Sequence, residues 1–154
     1  MKFTDLVKPG AVKVLSASSS KKRLMHDVAD LAEAAYDVSA PVAVEALMER
    51  ETLGPTGVGH GVALPHARLP GLTDVVGVML LLERPVDFDS VDRQPVDIVF
   101  GLFAPEDAGV AHLKALALVS RSLRNETLCA KLRANRDSGT LYTILTAAEA
   151  EKAA

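Results

Sequence analysis

Residues 75–103 read VVGVMLLLERPVDFDSVDRQPVDIVFGLF. Val75 to Leu82 and Val96 to Phe103 are near-continuous apolar runs, separated by a segment of acids, arginines and two prolines. Short apolar runs bounded by charge and proline read as strands buried on both faces, so these two are expected to be the central strands of a sheet. Upstream of them, Gly54-Pro55-Thr56-Gly57-Val58-Gly59-His60-Gly61 holds four glycines in eight residues, which marks backbone needing positive φ or close approach. It reads as a loop rather than a linker. Val62-Ala63-Leu64-Pro65-His66 then reads as a short strand with 62, 64 and 66 on one face. Pro65 lacks a donor and favours an edge or a strand end.

Further out the periods are helical. After the turn signal Pro9-Gly10, Ala11 to Leu15 reads as a first strand, followed by the serine cluster Ser16 and Ser18 to Ser20. Leu24, Val28, Leu31 and Ala35 recur at spacings of four and three and predict a helix from Ser20 with one apolar stripe. Asp37 to Ala40 form a break. Pro41 suits the first turn of a second helix, which carries Val44, Leu47 and Met48 and delivers Arg50 at its end. Beyond the second apolar run, Asp107 is read as the cap of a helix whose apolar positions Val110, Leu113, Leu116, Ala117 and Leu123 match helical spacing. Asn125 and Ser138 are read as caps of two more helices, the last carrying Leu141, Ile144, Leu145 and Ala148, with fraying from Glu149 to Ala154. Strands interspersed with helices point to an α/β layer architecture.

Composition narrows the function classes. A chain of 154 residues with 49% apolar and 24% charged residues fits a single globular domain with one core. Tryptophan is absent, aromatics reach 4% and the net charge is −3, so base stacking and a basic footprint are both missing and nucleic acid is not an expected partner. The Lys21, Lys22, Arg23 run is a solvated helix end. The single cysteine, Cys129, offers neither an internal disulfide nor a CxxC couple, and it reads as a small helix residue. The N-terminus lacks a signal-peptide apolar run, and no apolar stretch is long enough to cross a bilayer, so membrane insertion is not expected and cytoplasm is the simplest address.

Among candidates for chemistry, His66 closes the glycine loop and strand and is held by the preceding proline. A neutral imidazole is a good nucleophile towards phosphorus, and an ordinary pKa of about 6.5 leaves it largely neutral at cytoplasmic pH. Attack by one ring nitrogen requires the other to be held as a donor, often to a backbone carbonyl, and an irregular glycine loop can supply one. Spacing alone leaves open a partly buried histidine satisfied at a strand end. His112 falls in the first turns of a helix, where an anion is favoured, yet the residues alone favour a surface histidine. Arg50 offers a planar donor fork, although most arginines ending a helix face water. A zinc site from His60, His66 and His112 lacks an HExxH helix and a cysteine pair. The Gly57-x-Gly59-x-Gly61 spacing is not the dinucleotide fingerprint and leads into a strand.

The run Arg50-Glu51-x-x-Gly54-x-Thr56-Gly57-x-Gly59-x-Gly61-x-Ala63-x-Pro65-His66, with His112-Leu113-x-x-Leu116-Ala117 downstream, resembles the IIA domains of the mannitol, fructose and nitrogen-regulatory branches of the bacterial phosphotransferase system. The resemblance extends over almost the whole chain, including Val96 to Pro105, and leans to the nitrogen-regulatory branch. It implies one α/β domain over 1–154, with a core of about 4–147 and a mixed sheet flanked by helices. It also implies a phosphocarrier, a phosphotransferase component with mainly regulatory output. By the resemblance, His66 takes the phosphoryl group, His112 stabilises it and Arg50 supplies charge on the phosphate side. Thr56, Gly57, Gly59 and Gly61 would shape the phosphate pocket, with no metal and no cofactor. The implied donor is HPr or its nitrogen-branch relative NPr, and the implied targets are regulated proteins such as kinases or transporters. Alternatives are a fructose- or mannitol-type IIA serving a IIB domain, and a docking module that works without phosphotransfer. One departure stands out: His60 occupies a position where nitrogen-type members commonly carry asparagine. There it reads as a solvent-facing loop residue, with a pH-sensitive donor near the pocket as the alternative. His26 has no motif support and is given no role.

Overall fold

The computed structural model describes residues 1–153, with side chains described to residue 147. Both apolar runs are strands at the middle of one mixed sheet: β5 (Val76–Val86) and β6 (Val96–Pro105) pair antiparallel. On the far side of β5 lies β1 (Val12–Leu15), parallel to it. On the far side of β6 lie β3 (Val62–Ala63) and β4 (His66–Leu69), both parallel to β6. A short β2 (Gly57–Gly59) is hairpinned onto β3. The order is β1-β5-β6-β3-β2, with β4 continuing along β6 beyond β3. Val78, Leu80, Val99, Phe100 and Phe103 are fully buried, as strands covered on both faces require.

The glycine segment therefore contains a β-hairpin where the sequence predicts a loop. His60 and Gly61 both have positive φ, +57° and +78°, a pairing that matches the right-handed twist of the flanking strands. The expected strand over 62–66 is interrupted. β3 and β4 keep one register against β6, but Leu64 and Pro65 leave the ladder between them. Pro65, without an N–H, can only accept, and it takes the Leu102 N–H at 3.0 Å.

Six helices accompany the sheet among the described residues: α1 (Phe3–Leu6), α2 (Lys21–Tyr36), α3 (Ala40–Glu51), α4 (Gly109–Leu123), α5 (Glu126–Arg133) and α6 (Ser138–Ala153). Ser20 caps α2 through its hydroxyl, and the chain leaves at Asp37 in the left-handed region. Leu24, Met25, Val28, Ala29 and Ala32 face the core. Gly101 of β6 permits the close approach of α2, since a β-carbon there would lie 2.5 Å from a Val28 methyl. Tyr36 stitches the start of the chain to the sheet: its hydroxyl accepts from the Lys8 N–H at 3.0 Å and lies 2.7 Å from the Gly77 carbonyl.

Two capping expectations are corrected. Asp107 does not cap α4, whose N-cap residue is Ala108 without a side-chain bond, so the helix begins one residue later. The cap of α6 is Asp137 rather than Ser138, its carboxylate accepting the Thr140 N–H at 2.8 Å and its carbonyl the Leu141 N–H. Asn125 caps α5 as expected. The side chain of Ala148 and the fraying expected over 149–154 lie outside the residues whose side chains are described.

On α4 the apolar positions picked out by the spacing divide, with Leu123 buried and Leu116 partly buried against the core. Val110 and Leu113 are 68% and 67% exposed and Ala117 also faces out, while His112, Ala115, Leu118, Val119 and Ser122 turn inward. The outer stripe is the more apolar at its N-terminal end, so hydrophobic spacing includes it. Packing turns the neighbouring stripe inward and buries a histidine.

Candidate functional site

The interruption at Leu64-Pro65 builds the site. His66 opens β4 immediately after it, and its ring turns back so that Nδ1 lies 2.8 Å from the Leu64 carbonyl oxygen. A carbonyl only accepts, so Nδ1 carries the proton and Nε2 keeps its lone pair. The holding carbonyl comes from the strand break and not from the glycine hairpin. Burial pushes the His66 pKa below its ordinary value, the Leu64 bond opposes this, the nearby Arg50 charge adds to the lowering and Glu51 partly offsets it. His66 is thus a neutral ring with one committed and one available nitrogen.

His112 approaches from α4. It is 7% exposed, contrary to the surface reading, and its ring centroid lies 5.8 Å from that of His66 with the planes at 71°. Among the described residues its Nε2 is buried and without a hydrogen-bond partner. An imidazole nitrogen left so costs stability unless something fills the place, so this atom asks for a ligand. Burial first, then the charges of His66 and Arg68, lower its pKa.

Arg50 sits in the last turn of α3, which packs against β4. One guanidinium nitrogen donates to the Gly54 carbonyl at 3.0 Å, so the side chain is half-held and its charge reaches His66. The neighbouring Glu51 is half-buried and engaged through both carboxylate oxygens. Its carboxylate accepts the Thr56 N–H at 2.9 Å and hydroxyl at 2.6 Å, and pairs with the Lys21 ammonium at 2.7 Å. Glu51 thereby fixes the entry to the hairpin and ties α3 to the start of α2.

The structure thus assembles His66, His112 and Arg50 in one place. Thr56 is buried on Glu51. Gly57 lies against Ser90, Gly59 (φ +99°) against Asp92, and Gly61 against Arg133 and Asp97. A β-carbon at those three glycines would thus meet the β5–β6 connection, the start of β6 and the end of α5. Arg133 clamps this corner: it pairs with Asp97 at 2.9 Å and donates to the His60 carbonyl at 2.8 Å. His60 itself is exposed, with its N–H on Asp92 at 2.9 Å, which matches the solvent-facing reading. No trio of His, Cys, Asp or Glu among the described residues is placed to hold a metal ion, which disfavours the three-histidine zinc arrangement. Cys129 is a buried helix residue whose thiol meets the Leu123 carbonyl at 3.2 Å.

Sequence reasoning missed two side chains. Glu51 stands inside the motif without a role. Arg68 follows His66 by two residues, and the period of a strand puts the two on one face. The burial of β4 bears this out, with Ala67 and Leu69 inward and Arg68 exposed.

Residues 5–148 match the family described as "Phosphoenolpyruvate-dependent sugar phosphotransferase system, EIIA 2". A nitrogen regulatory protein of Bradyrhizobium diazoefficiens is 46% identical over 145 residues, covering 94% of this chain and 95% of that protein. The crystal structure of nitrogen regulatory protein IIA-Ntr from Neisseria meningitidis superposes with a TM-score of 0.83 at 32% identity, over 92% of this chain and 97% of that one. IIA mannitol from Escherichia coli has the same fold, with a TM-score of 0.75 at 17% identity over 90% of this chain and 97% of its own.

Proposed function

Because the chain belongs to the EIIA 2 family of the phosphoenolpyruvate-dependent sugar phosphotransferase system, we propose that it is a phosphocarrier with regulatory output, taking a phosphoryl group onto Nε2 of His66 from an HPr- or NPr-type protein. The observation that carries this reading is the 2.8 Å bond between Nδ1 of His66 and the Leu64 carbonyl, beside a second histidine with an unpartnered nitrogen. A regulatory output in the nitrogen branch is favoured by the high identity to a nitrogen regulatory protein along nearly the full chain.

In the transfer, the Nε2 lone pair of neutral His66 attacks the phosphorus of the donor's phosphohistidine. The donor's P–N bond breaks and its electron pair returns to the donor ring, which leaves neutral. The His66 ring becomes cationic as the new bond forms, and the retained Nδ1 proton, shared with the Leu64 carbonyl, spreads that charge. His112 offers its buried nitrogen to a phosphoryl oxygen, and Arg50 adds fixed positive charge, so stabilisation is mainly positional and electrostatic. The hairpin residues Thr56, Gly57, Gly59 and Gly61 belong to this pocket at one remove, through Glu51 and the Arg133 clamp. Val110 and Leu113 stand exposed on either side of His112 in sequence, which suits a protein surface as the donor better than a small anion.

The test is phosphoryl uptake from phosphoenolpyruvate, enzyme I and HPr or NPr, followed by intact mass. We expect one acid-labile phosphoryl on the wild type and none on His66→Ala, whose circular dichroism should be unchanged. No uptake from either relay would leave a docking module without phosphotransfer as the better reading.

A further inference from the structure

Resting on that reading, we propose that Arg68 is a second phosphate-binding cation of the site, free in the unphosphorylated protein and drawn onto the phosphoryl group once His66 carries it. Position comes first. β4 places Arg68 two residues beyond His66 on the same exposed face, about 6.6 Å along the strand at the usual rise per residue. An arginine side chain spans that distance, as does an imidazole bearing a phosphoryl group, so both ends can meet above the strand. Pro65, the register of β4 against β6 and the buried Ala67 and Leu69 hold the backbone of this segment.

Charge comes second. The Arg68 guanidinium has no hydrogen bond or ion pair among the described residues, although twenty Asp and Glu side chains are present in the chain. Its positive charge helps to lower the His112 pKa, after burial and the His66 ring. Arg50 stands on a different element, α3, with one nitrogen already committed to Gly54. The carboxylate nearest in influence to His66, that of Glu51, is engaged by Lys21 and Thr56 and cannot draw Arg68 away. A dianionic phosphoryl group on Nε2 would therefore meet a half-held arginine from α3 and an unengaged one from β4. Arg68 can offer it a bidentate fork at no cost of breaking an existing pair.

The consequence is specific to the phosphorylated state. Arg68 should contribute little to folding and much to the lifetime of the phosphohistidine, by shielding the phosphorus and its charge from water. The test uses phosphoramidate as donor, so that partner recognition does not enter, and compares wild type, Arg68→Gln and Arg68→Lys. We expect phosphohistidine hydrolysis about tenfold faster in Arg68→Gln, an intermediate rate in Arg68→Lys, and a shift of the Arg68 Nε–H resonance on phosphorylation of the wild type. Urea midpoints of the three unphosphorylated proteins should coincide. Equal hydrolysis rates with an unmoved Arg68 resonance would overturn the role of Arg68 alone. A wild type that accepts no phosphoryl group on His66 from phosphoramidate or from the relay would overturn the phosphocarrier reading and the Arg68 role with it.

Discussion

β6 has two unlike neighbours. Against β5 it pairs in one unbroken antiparallel register from Val76 to Leu81, through side chains that are almost all fully buried. Against β3 and β4 it pairs in one parallel register that is missing its middle, at Leu64 and Pro65. Regular pairing consumes every backbone group and leaves nothing for chemistry. The interruption frees one carbonyl, that of Leu64, and the ring of His66 uses it. One flank of the strand holds the fold and the other prepares a nucleophile, and this division predicts which substitutions damage which property.

Phe100→Ala, on the regular flank, is the sharpest way to test the division. Phe100 is fully buried and its ring lies 5.9 Å from that of Phe3, so truncation should cost about 3–5 kcal/mol in a urea titration. Phosphoryl uptake by the molecules that remain folded should stay within about twofold of wild type. A large loss of uptake in the folded fraction would show that the two flanks are coupled. On the other flank, His112→Gln should slow uptake by about 100-fold and move the urea midpoint far less than Phe100→Ala, since the lost group acts on charge developing in transfer. A normal rate would reduce His112 to packing.

A smaller effect follows from pH. His66 and His112 both have folded pKa values lowered from 6.5, chiefly by burial. Below pH 6.5 the unfolded chain therefore binds protons that the fold resists. Stability should be full above that value and decline as pH falls through it towards the lowered folded values. Uptake should fall only at the lower end of that range and below it, as pH reaches the lowered folded value of His66, because protonation removes the Nε2 lone pair. Replacing both histidines by glutamine should flatten the stability slope between pH 7.5 and 5.5. An unchanged slope would mean that the rings titrate as in water.

The least effect is expected at His60. Its side chain is exposed and its backbone lies in the left-handed region, which asparagine also tolerates. His60→Asn should change stability by less than about 0.5 kcal/mol and leave uptake unaltered in the same assays. A marked change in the pH profile of uptake would instead make His60 part of the site.

How much of this was legible varies by element. The central strands, the apolar stripe of α2, α3 with Pro41 in its first turn and the Asn125 cap of α5 were readable because their signals are local: run length, period and cap chemistry. His66 and Arg50 were readable as candidates from the motif. Which face of α4 turns inward was not readable, since the apolar spacing includes the exposed Val110 and Leu113 together with the buried Leu123. Glu51 and Arg68 went unassigned because a charged residue beside a motif looks the same whether it faces water, a lysine or an empty place above a histidine.

The sequence by itself determined the longer helices, the sheet's apolar centre and the family, because periodicity, turn chemistry and motif are written along the chain. Only the tertiary structure decided which carbonyl fixes the His66 tautomer, that His112 is buried 5.8 Å away, and that Glu51 is engaged while Arg68 is not. Those facts depend on residues far apart in the chain meeting across β6, α3 and α4, and on how burial and neighbouring charge act at the point where they meet.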